Sequence, residues 1–348
     1  MEKRKQEVAW LKGRAQLEIL EAQLEPIPDD AVMVKIEEIG ICGSDSYFFE
    51  SGMIGDAALP FPIVLGHECA GTVVEIGSAV TKVKLGERVC LEPGIPCGKC
   101  AYCMTGRYNL CQAVDFMAAP PDFHGCLKKY VVHPEKFTFK LPENVSTLEG
   151  TMIEPLSVGY HAACRANAGY GKKIIILGAG CIGLMTLMSC RLMGADDITV
   201  VDLYENRLEK ARELGAKTVI CANKKDTVET YLETNPDGAD IVFESAGSVA
   251  TTRQSASLVR PGGNIVLVGN THGDVPFDFF EIMNKEVDIK CVFRYRNCYQ
   301  ELIDAVSQGL VHPLKVITNE FDFTDVQNAF MTTCRDKQNI IKSIIHVN

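Results

Sequence analysis

Ile174-Ile175-Ile176-Leu177-Gly178-Ala179-Gly180-Cys181-Ile182-Gly183 decides the fold class of this 348-residue chain. Four apolar residues in a row suit a strand covered on both faces. Gly178, Gly180 and Gly183 then fit the pattern G-x-G-x-x-G at the start of a helical stretch. The first glycine permits the tight turn, and the second lets the backbone approach a pyrophosphate. The third lets helix and strand pack closely. The uncharged run extends to Cys190, long enough to raise the question of a membrane span. The glycine break near its start argues for strand, turn and helix instead. Asp202 ends the next apolar run, Ile198-Thr199-Val200-Val201. A carboxylate there accepts hydrogen bonds from the adenosine ribose hydroxyls and opposes a 2′-phosphate. That predicts NAD over NADP, with Arg207 packed over the adenine edge.

Strands and helices alternate outward from this turn. Leu208, Ala211 and Leu214 mark a helix ended by Gly215. Asp240–Glu244 and Asn264–Gly269 read as two more strands, joined by a helical segment closed by Pro261-Gly262-Gly263. Such alternation implies a parallel, doubly wound sheet. The first 150 or so residues differ. Val32, Val34 and Ile36 alternate with other residues, Gly71–Gly77 is a β-branched run, and Arg88–Leu91 stops before a proline. Short strands with Gly/Pro punctuation predict an irregular, barrel-like β domain. The last 55 or so residues are expected to rejoin it. The length itself favours two domains.

The chain has 35 basic and 45 acidic residues, a net charge of −10, and 47% hydrophobic residues. An acidic chain without a Lys/Arg cluster is a poor binder of nucleic acid or of an anionic membrane surface. Small-molecule chemistry fits better. The N-terminal stretch, Met1 to Glu7, leads into no apolar segment of the secretory kind. There are 15 cysteines, an odd number. Without a leader, thiolate–metal chemistry is favoured over disulfides, and a cytoplasmic location is expected.

Two cysteine patterns follow. Cys97, Cys100, Cys103 and Cys111, with Gly98 and Gly106 to turn the backbone, suit a closed tetrahedral zinc of structural type. An iron–sulfur cluster is the alternative. Cys42 and the pair His67-Glu68 offer a thiolate, an imidazole and a carboxylate, the three donor types of an open catalytic zinc. Asp45 is placed to orient a ligand, and Ser44 to pass a proton from an alcohol. Glu154, where the first domain gives way to the second, is placed to bind the metal or to hold its water.

Together the motifs resemble the zinc-dependent medium-chain dehydrogenases. The likeness rests on Cys42-Gly-Ser-Asp45, Gly66-His67-Glu68, Gly86-Glu-Arg-Val89, the Cys97–Cys111 lobe, Glu154-Pro-Leu-Ser157 and the Gly178–Gly183 turn. Glu92-Pro-Gly94, Gly106-Arg-Tyr-Asn109 and Val287–Tyr295 narrow it to the sorbitol (L-iditol 2-) and xylitol dehydrogenases. The resemblance implies an α/β protein with a GroES-like β-rich catalytic domain (1–156 and 294–348) and a Rossmann NAD-binding domain (157–293). It implies two zinc ions per chain, the catalytic one held by Cys42, His67, Glu68 and a water, with Glu154 touching water or substrate. It further implies substrate contacts from Phe116, Arg294 and Tyr295. The NAD contacts implied are Ile182, Asp202, Arg207, Val268, Asn270, Val292 and Arg294. A homotetramer, or else a dimer, is the expected assembly.

The expected reaction takes a secondary alcohol of a polyol to the ketose, with hydride transfer to NAD and Ser44 and Glu154 as proton relay. One departure stands out. Relatives carry His-Tyr where this chain has Tyr47-Phe48, so an apolar ring replaces a phenol and a relay histidine is gone. The four-cysteine lobe is complete, as in microbial members. Competing readings are a dehydrogenase for threonine, 2,3-butanediol or a phosphorylated polyol, and a non-catalytic NAD- or zinc-binding scaffold.

Overall fold

The β-branched and apolar runs collect into two large sheets, each in its own unit of chain. One unit comprises Met1–Glu154, Tyr299–Gly309 and Ile317–Asn348, the other Pro155–Cys298 and Leu310–Val316. The computed structural model describes residues 4–54, 57–119 and 124–348; the first three residues of the N-terminal stretch lie outside these. Among the described residues no helix is long and apolar enough to cross a membrane. The chain leaves the nucleotide-type unit at Tyr299, not at residue 294, so Arg294 and Tyr295 belong to that unit. Tyr295 and Cys298 in this follow-on segment are both buried.

The second unit is built on a six-stranded parallel sheet. Its spatial order is Thr218–Cys221, Asp197–Asp202, Lys173–Leu177, Ala239–Glu244, Val259–Leu267, Asp288–Cys291. This is the 3-2-1-4-5-6 order of a Rossmann fold, with its switch point between the first and fourth strands. Ile174, Ile175, Ile176 and Leu177 are buried on both faces, as a central parallel strand requires. One expectation is corrected. Pro261-Gly262-Gly263 does not close the preceding helix, which ends at Leu258; it lies inside the Val259–Leu267 strand. The pairing shifts from Ala239↔Val259 to Ile241↔Asn264, so these residues form a bulge.

The first unit has a seven-stranded sheet. Its long central strand, Ala31–Ile41, runs antiparallel to Glu68–Ile76 on one side and to Ser343–His346 on the other. The C-terminal segment therefore does return to the β-rich unit. Val34, Ile36, Ile39, Leu65, Leu127 and Phe330 fill the core, each such side chain contributing about 1.5–3 kcal/mol by burial.

His346 clasps this sheet. Its Nδ1 lies 2.7 Å from Glu38 Oε2 and its Nε2 2.9 Å from Glu320 Oε2. Burial alone lowers the imidazole pKa, but the two carboxylates outweigh it and raise it above the usual value. The clasp stabilises fully below the ordinary imidazole pKa and is lost as pH rises through the raised one. The site is part-exposed, so its worth is about 1 kcal/mol or less. His346→Gln should lower the urea midpoint at pH 6 and leave it nearly unchanged at pH 9; an equal loss at both pH values would contradict a charged clasp.

Candidate active site and metal centres

Strand register brings the first constellation together. Gly40 pairs with Glu68 and Ile41 with Ser343. The residues just beyond these pairs, Cys42, His67 and Lys342, therefore share one end of the sheet. Cys42 caps the Gly43–Ser51 helix. Cys42, His67 and Glu68 each present one donor atom within 4.8 Å of the others, a spacing that fits one metal ion. Ser44 Oγ donates to Cys42 Sγ at 3.3 Å.

Asp45 orients the imidazole. It is fully buried, with Oδ2 3.4 Å from His67 Nδ1, and Oδ1 accepts the Gly66 N–H at 3.1 Å. This leaves Nε2 of His67 as the nitrogen for a metal. Burial pushes the Asp45 carboxyl up, but His67 and the two backbone donors win and lower it. Burial likewise opposes charge on His67, yet Asp45 and Cys42 raise its pKa well above the usual value. The Phe116 ring stands 5.5 Å from the His67 ring. Tyr47 and Phe48 lie on the helix that Cys42 caps, their rings 6.3 Å apart.

Glu68 starts its strand and is 1% exposed. Its Oε2 pairs with the buried Lys342 ammonium, which also donates to the Ile41 carbonyl at 3.1 Å. Glu154 is in the first turn of the Ile153–Ala166 helix, 5% exposed. Its charge adds to burial in raising the neighbouring Glu92 to about 7, against a 2.7 Å hydrogen bond from the Tyr108 hydroxyl.

The four cysteines of the lobe gather as their spacing predicts. Cys100 and Cys103 sulfurs are 3.4 Å apart and those of Cys97 and Cys103 3.9 Å. A zinc tetrahedron with ~2.3 Å bonds has an edge of ~3.8 Å. All four sulfurs lie within 4.8 Å of one another, room for one ion and not for a multi-iron cluster. Backbone N–H groups of Lys99 and Cys100 help lower Cys97 to about 6. Burial and neighbouring thiols push Cys103 up to about 12.

The second unit builds the dinucleotide turn. Gly178 adopts φ 105°, and a Cβ on Gly183 would strike the Gly178 carbonyl. Gly180 is different: a Cβ there would meet only Arg207 Nη1, at 3.7 Å. Internal packing leaves that space open, as close approach of a pyrophosphate requires. Asp202 accepts the Ala179 N–H at 2.7 Å and the Tyr204 N–H at 3.0 Å, which fixes its carboxylate at the strand end. Arg207 lies over the Tyr204 ring, 5.7 Å from its centroid. Ile182 opens the helix, and Val268, Asn270 and Val292 follow the carboxyl ends of their strands on the same edge.

Arg294 and Tyr295 follow the Asp288–Cys291 strand. Arg294 has φ 55° and lies 4.8 Å over the Phe293 ring. Tyr295 is 3% exposed, so its ring offers little surface to a substrate.

The sequence matches the alcohol dehydrogenase GroES-like domain over residues 28–143 and the zinc-binding dehydrogenase family over 181–308. Sorbitol dehydrogenase of Bacillus subtilis is 37% identical over 328 residues, 93% of each chain. The chain belongs to the zinc-dependent medium-chain dehydrogenases. This dehydrogenase is also 49% identical over 343 residues, 98% of each chain, to YdjJ of Escherichia coli, an uncharacterized zinc-type alcohol dehydrogenase-like protein. It superposes on the crystal structure of ECK1772 from Escherichia coli, an oxidoreductase/dehydrogenase of unknown specificity involved in membrane biogenesis. That match has a TM-score of 0.96 and 48% identity, covering 99% of this chain and 100% of that one. Two further zinc-type or alcohol dehydrogenase structures, each 27% identical with a TM-score of 0.91, hold NADP and NADH.

Sequence reasoning about this dehydrogenase missed Lys342 and the buried Glu92. A signal for the first existed: Lys342 is a lone charge in Ile340-Ile341-Lys342-Ser343-Ile344-Ile345. Its partner is far away in sequence, so only the fold could supply it. Lys342→Met would leave Glu68 buried without its counter-charge. In chelator-treated protein it should cost about 3–5 kcal/mol of unfolding free energy, measured by urea titration. A loss below about 1 kcal/mol would show the pair to be unimportant.

Proposed function

We propose that this dehydrogenase oxidises a secondary alcohol of an uncharged polyol, of the sorbitol, L-iditol or xylitol kind, to the ketose, with NAD as hydride acceptor. The observation that carries the uncharged substrate is the charge of the first unit's site. Asp45, Glu68, Glu92 and Glu154 are all buried in the first unit; His67 answers Asp45 and Lys342 answers Glu68, whereas Glu92 feels the charge of Glu154. A substrate phosphate or carboxylate brought to such a group of carboxyls meets repulsion; hydroxyls meet acceptors.

In this reading Cys42, His67 and Glu68 hold the catalytic zinc, Glu154 binds it or its water, and Cys97, Cys100, Cys103 and Cys111 hold a second, structural ion. Zinc supplies Lewis acidity, lowering an alcohol's pKa toward neutrality, and NAD supplies the hydride acceptor. Asp45 fixes the ring orientation of His67. Ser44, with its hydroxyl against Cys42, would relay the proton of the substrate alcohol, receiving it at Oγ as its own proton passes through water to Glu154. Phe116 would give the substrate an apolar wall, and Arg294 and Tyr295 are the residues the family resemblance assigns to its hydroxyls. Gly180 admits the pyrophosphate, Ile182, Val268, Asn270 and Val292 line the cofactor, and Asp202 accepts from the ribose hydroxyls. The working form is a homotetramer or dimer in the cytoplasm, as the family resemblance implies.

The deciding experiment compares initial NADH formation with sorbitol, xylitol, threonine, 2,3-butanediol and a phosphorylated polyol, alongside zinc quantitation. A neutral polyol should give the highest kcat/KM, with two zinc ions per chain. Faster turnover of threonine or of the phosphorylated compound would overturn the substrate class. Glu68→Ala should leave one zinc per chain and abolish turnover. Asp202→Ala should reduce the NAD:NADP ratio of kcat/KM by about tenfold or more, the loss of a charge-assisted hydrogen-bond pair; an unchanged ratio would refute its assignment.

A further inference from the structure

The carboxyl end of the Ala239–Glu244 strand lies at the switch point of the parallel sheet, beside Leu177. Its last residue, Glu244, is fully buried, a costly place for a carboxyl unless its oxygens are used. Oε1 accepts three hydrogen bonds, from the N–H groups of Ala246 and Gly247 at 3.1 and 2.9 Å and from the Thr251 hydroxyl at 2.7 Å. The main-chain carbonyl of the same residue accepts from the N–H groups of Val268 and Gly269, at 2.8 and 2.9 Å. One residue thus ties down two segments: 245–251, which runs from the strand end into the first turn of the Val249–Leu258 helix, and the loop 268–270. Its neighbour Ser245 ties a third, donating to the carbonyls of Leu177 and Gly178 at 2.9 and 3.1 Å.

Oε2 makes no hydrogen bond. It lies where a Cβ on Gly269 would come within 2.9 Å, and a Cβ on Gly247 would come within 3.0 Å of the Asn270 carbonyl. The two loops meet glycine to glycine over this carboxyl. No solvent reaches it, so it does not touch a ligand itself.

We infer that Glu244 is a positioning residue for the nicotinamide cofactor, holding loops 245–251 and 268–270 in one fixed arrangement against the dinucleotide turn. The inference rests on the cofactor reading above, in which Val268 and Asn270 line the site. Two loops ordered before binding lose less entropy on binding, so release of the clamp weakens cofactor affinity more than it weakens the metal sites of the other unit.

The test uses the zinc-loaded full chain and measures NADH affinity by fluorescence titration, hydrogen exchange of the two loops without cofactor, and zinc content. In Glu244→Leu the donors of Ala246, Gly247 and Thr251 lose their acceptor. NADH affinity should fall by about tenfold or more, and exchange in 245–251 should quicken more than in 268–270, which keeps its main-chain carbonyl acceptor, with zinc content unchanged. Glu244→Gln keeps one acceptor oxygen and should restore affinity to within about threefold. If Glu244→Leu does not fold, Gly269→Ala serves instead, pressing the loops apart with Glu244 in place, and should show the same loss. NADH binding by either folded variant within about threefold of the parent would overturn the inference. Failure of the parent to bind NADH would overturn the cofactor reading instead, which separates the two failures.

Discussion

The first unit depends on one register: Gly40 of the central strand stands opposite Glu68 of its antiparallel neighbour. That pairing sets Cys42 and His67 side by side although they lie far apart in the chain. The Ser343–His346 strand, paired on the other side, adds Lys342 at the same end. Glycine at position 40 is part of the constraint. A Cβ there would collide with Glu68 Oε2 and come within 3.1 Å of Lys342 Cε. The buried ion pair therefore occupies space that the strand itself has to leave open. Shifting the register by one residue would turn the ligand set to the other face.

Electrostatics at these strand ends follows from burial. Asp45, His67, Glu68 and Lys342 are all nearly solvent-free, so each charge must find a partner nearby. Asp45 answers His67 and two backbone donors; Lys342 answers Glu68. This arrangement keeps donor atoms in place before any metal arrives, the preorganisation that a catalytic ion site requires. For Glu92, burial and then the charge of Glu154 outweigh the Tyr108 hydrogen bond, so its pKa rises, whereas His67 and the backbone donors lower that of Asp45.

Much of this was legible in the residues. The Gly178–Gly183 turn and Asp202 carry a local code: Gly183 leaves room for the Gly178 carbonyl within one strand–turn–helix unit, and Asp202 accepts the Ala179 N–H of the same turn. The four cysteines of the lobe are likewise near in sequence, and their sulfurs meet at metal spacing without help from distant chain. The Pro261-Gly262-Gly263 stretch was misleading because glycine and proline mark bulges as well as helix ends. Tyr295 differs: its aromatic hydroxyl reads as a substrate contact in the sequence, whereas its burial is visible only in the fold. The return point at Tyr299 has no composition signal of its own, and only contacts define it.

The sequence by itself determined which cysteines, histidine and carboxylate gather into two candidate ligand sets, the glycine turn with a carboxylate at the next strand end, and the alternation that implies a parallel sheet. These are short-range patterns, and their chemistry depends on residue type and spacing. Tertiary structure alone decided that Lys342 neutralises Glu68, that Glu92 feels Glu154, and that Glu244 clamps two loops at the switch point. The first two contacts join residues far apart in the chain, and the third reaches from the strand end to Val268 and Gly269 through its main-chain carbonyl. No spacing rule encodes such a pairing, because the cost of burying a charge becomes visible only where the fold removes the water.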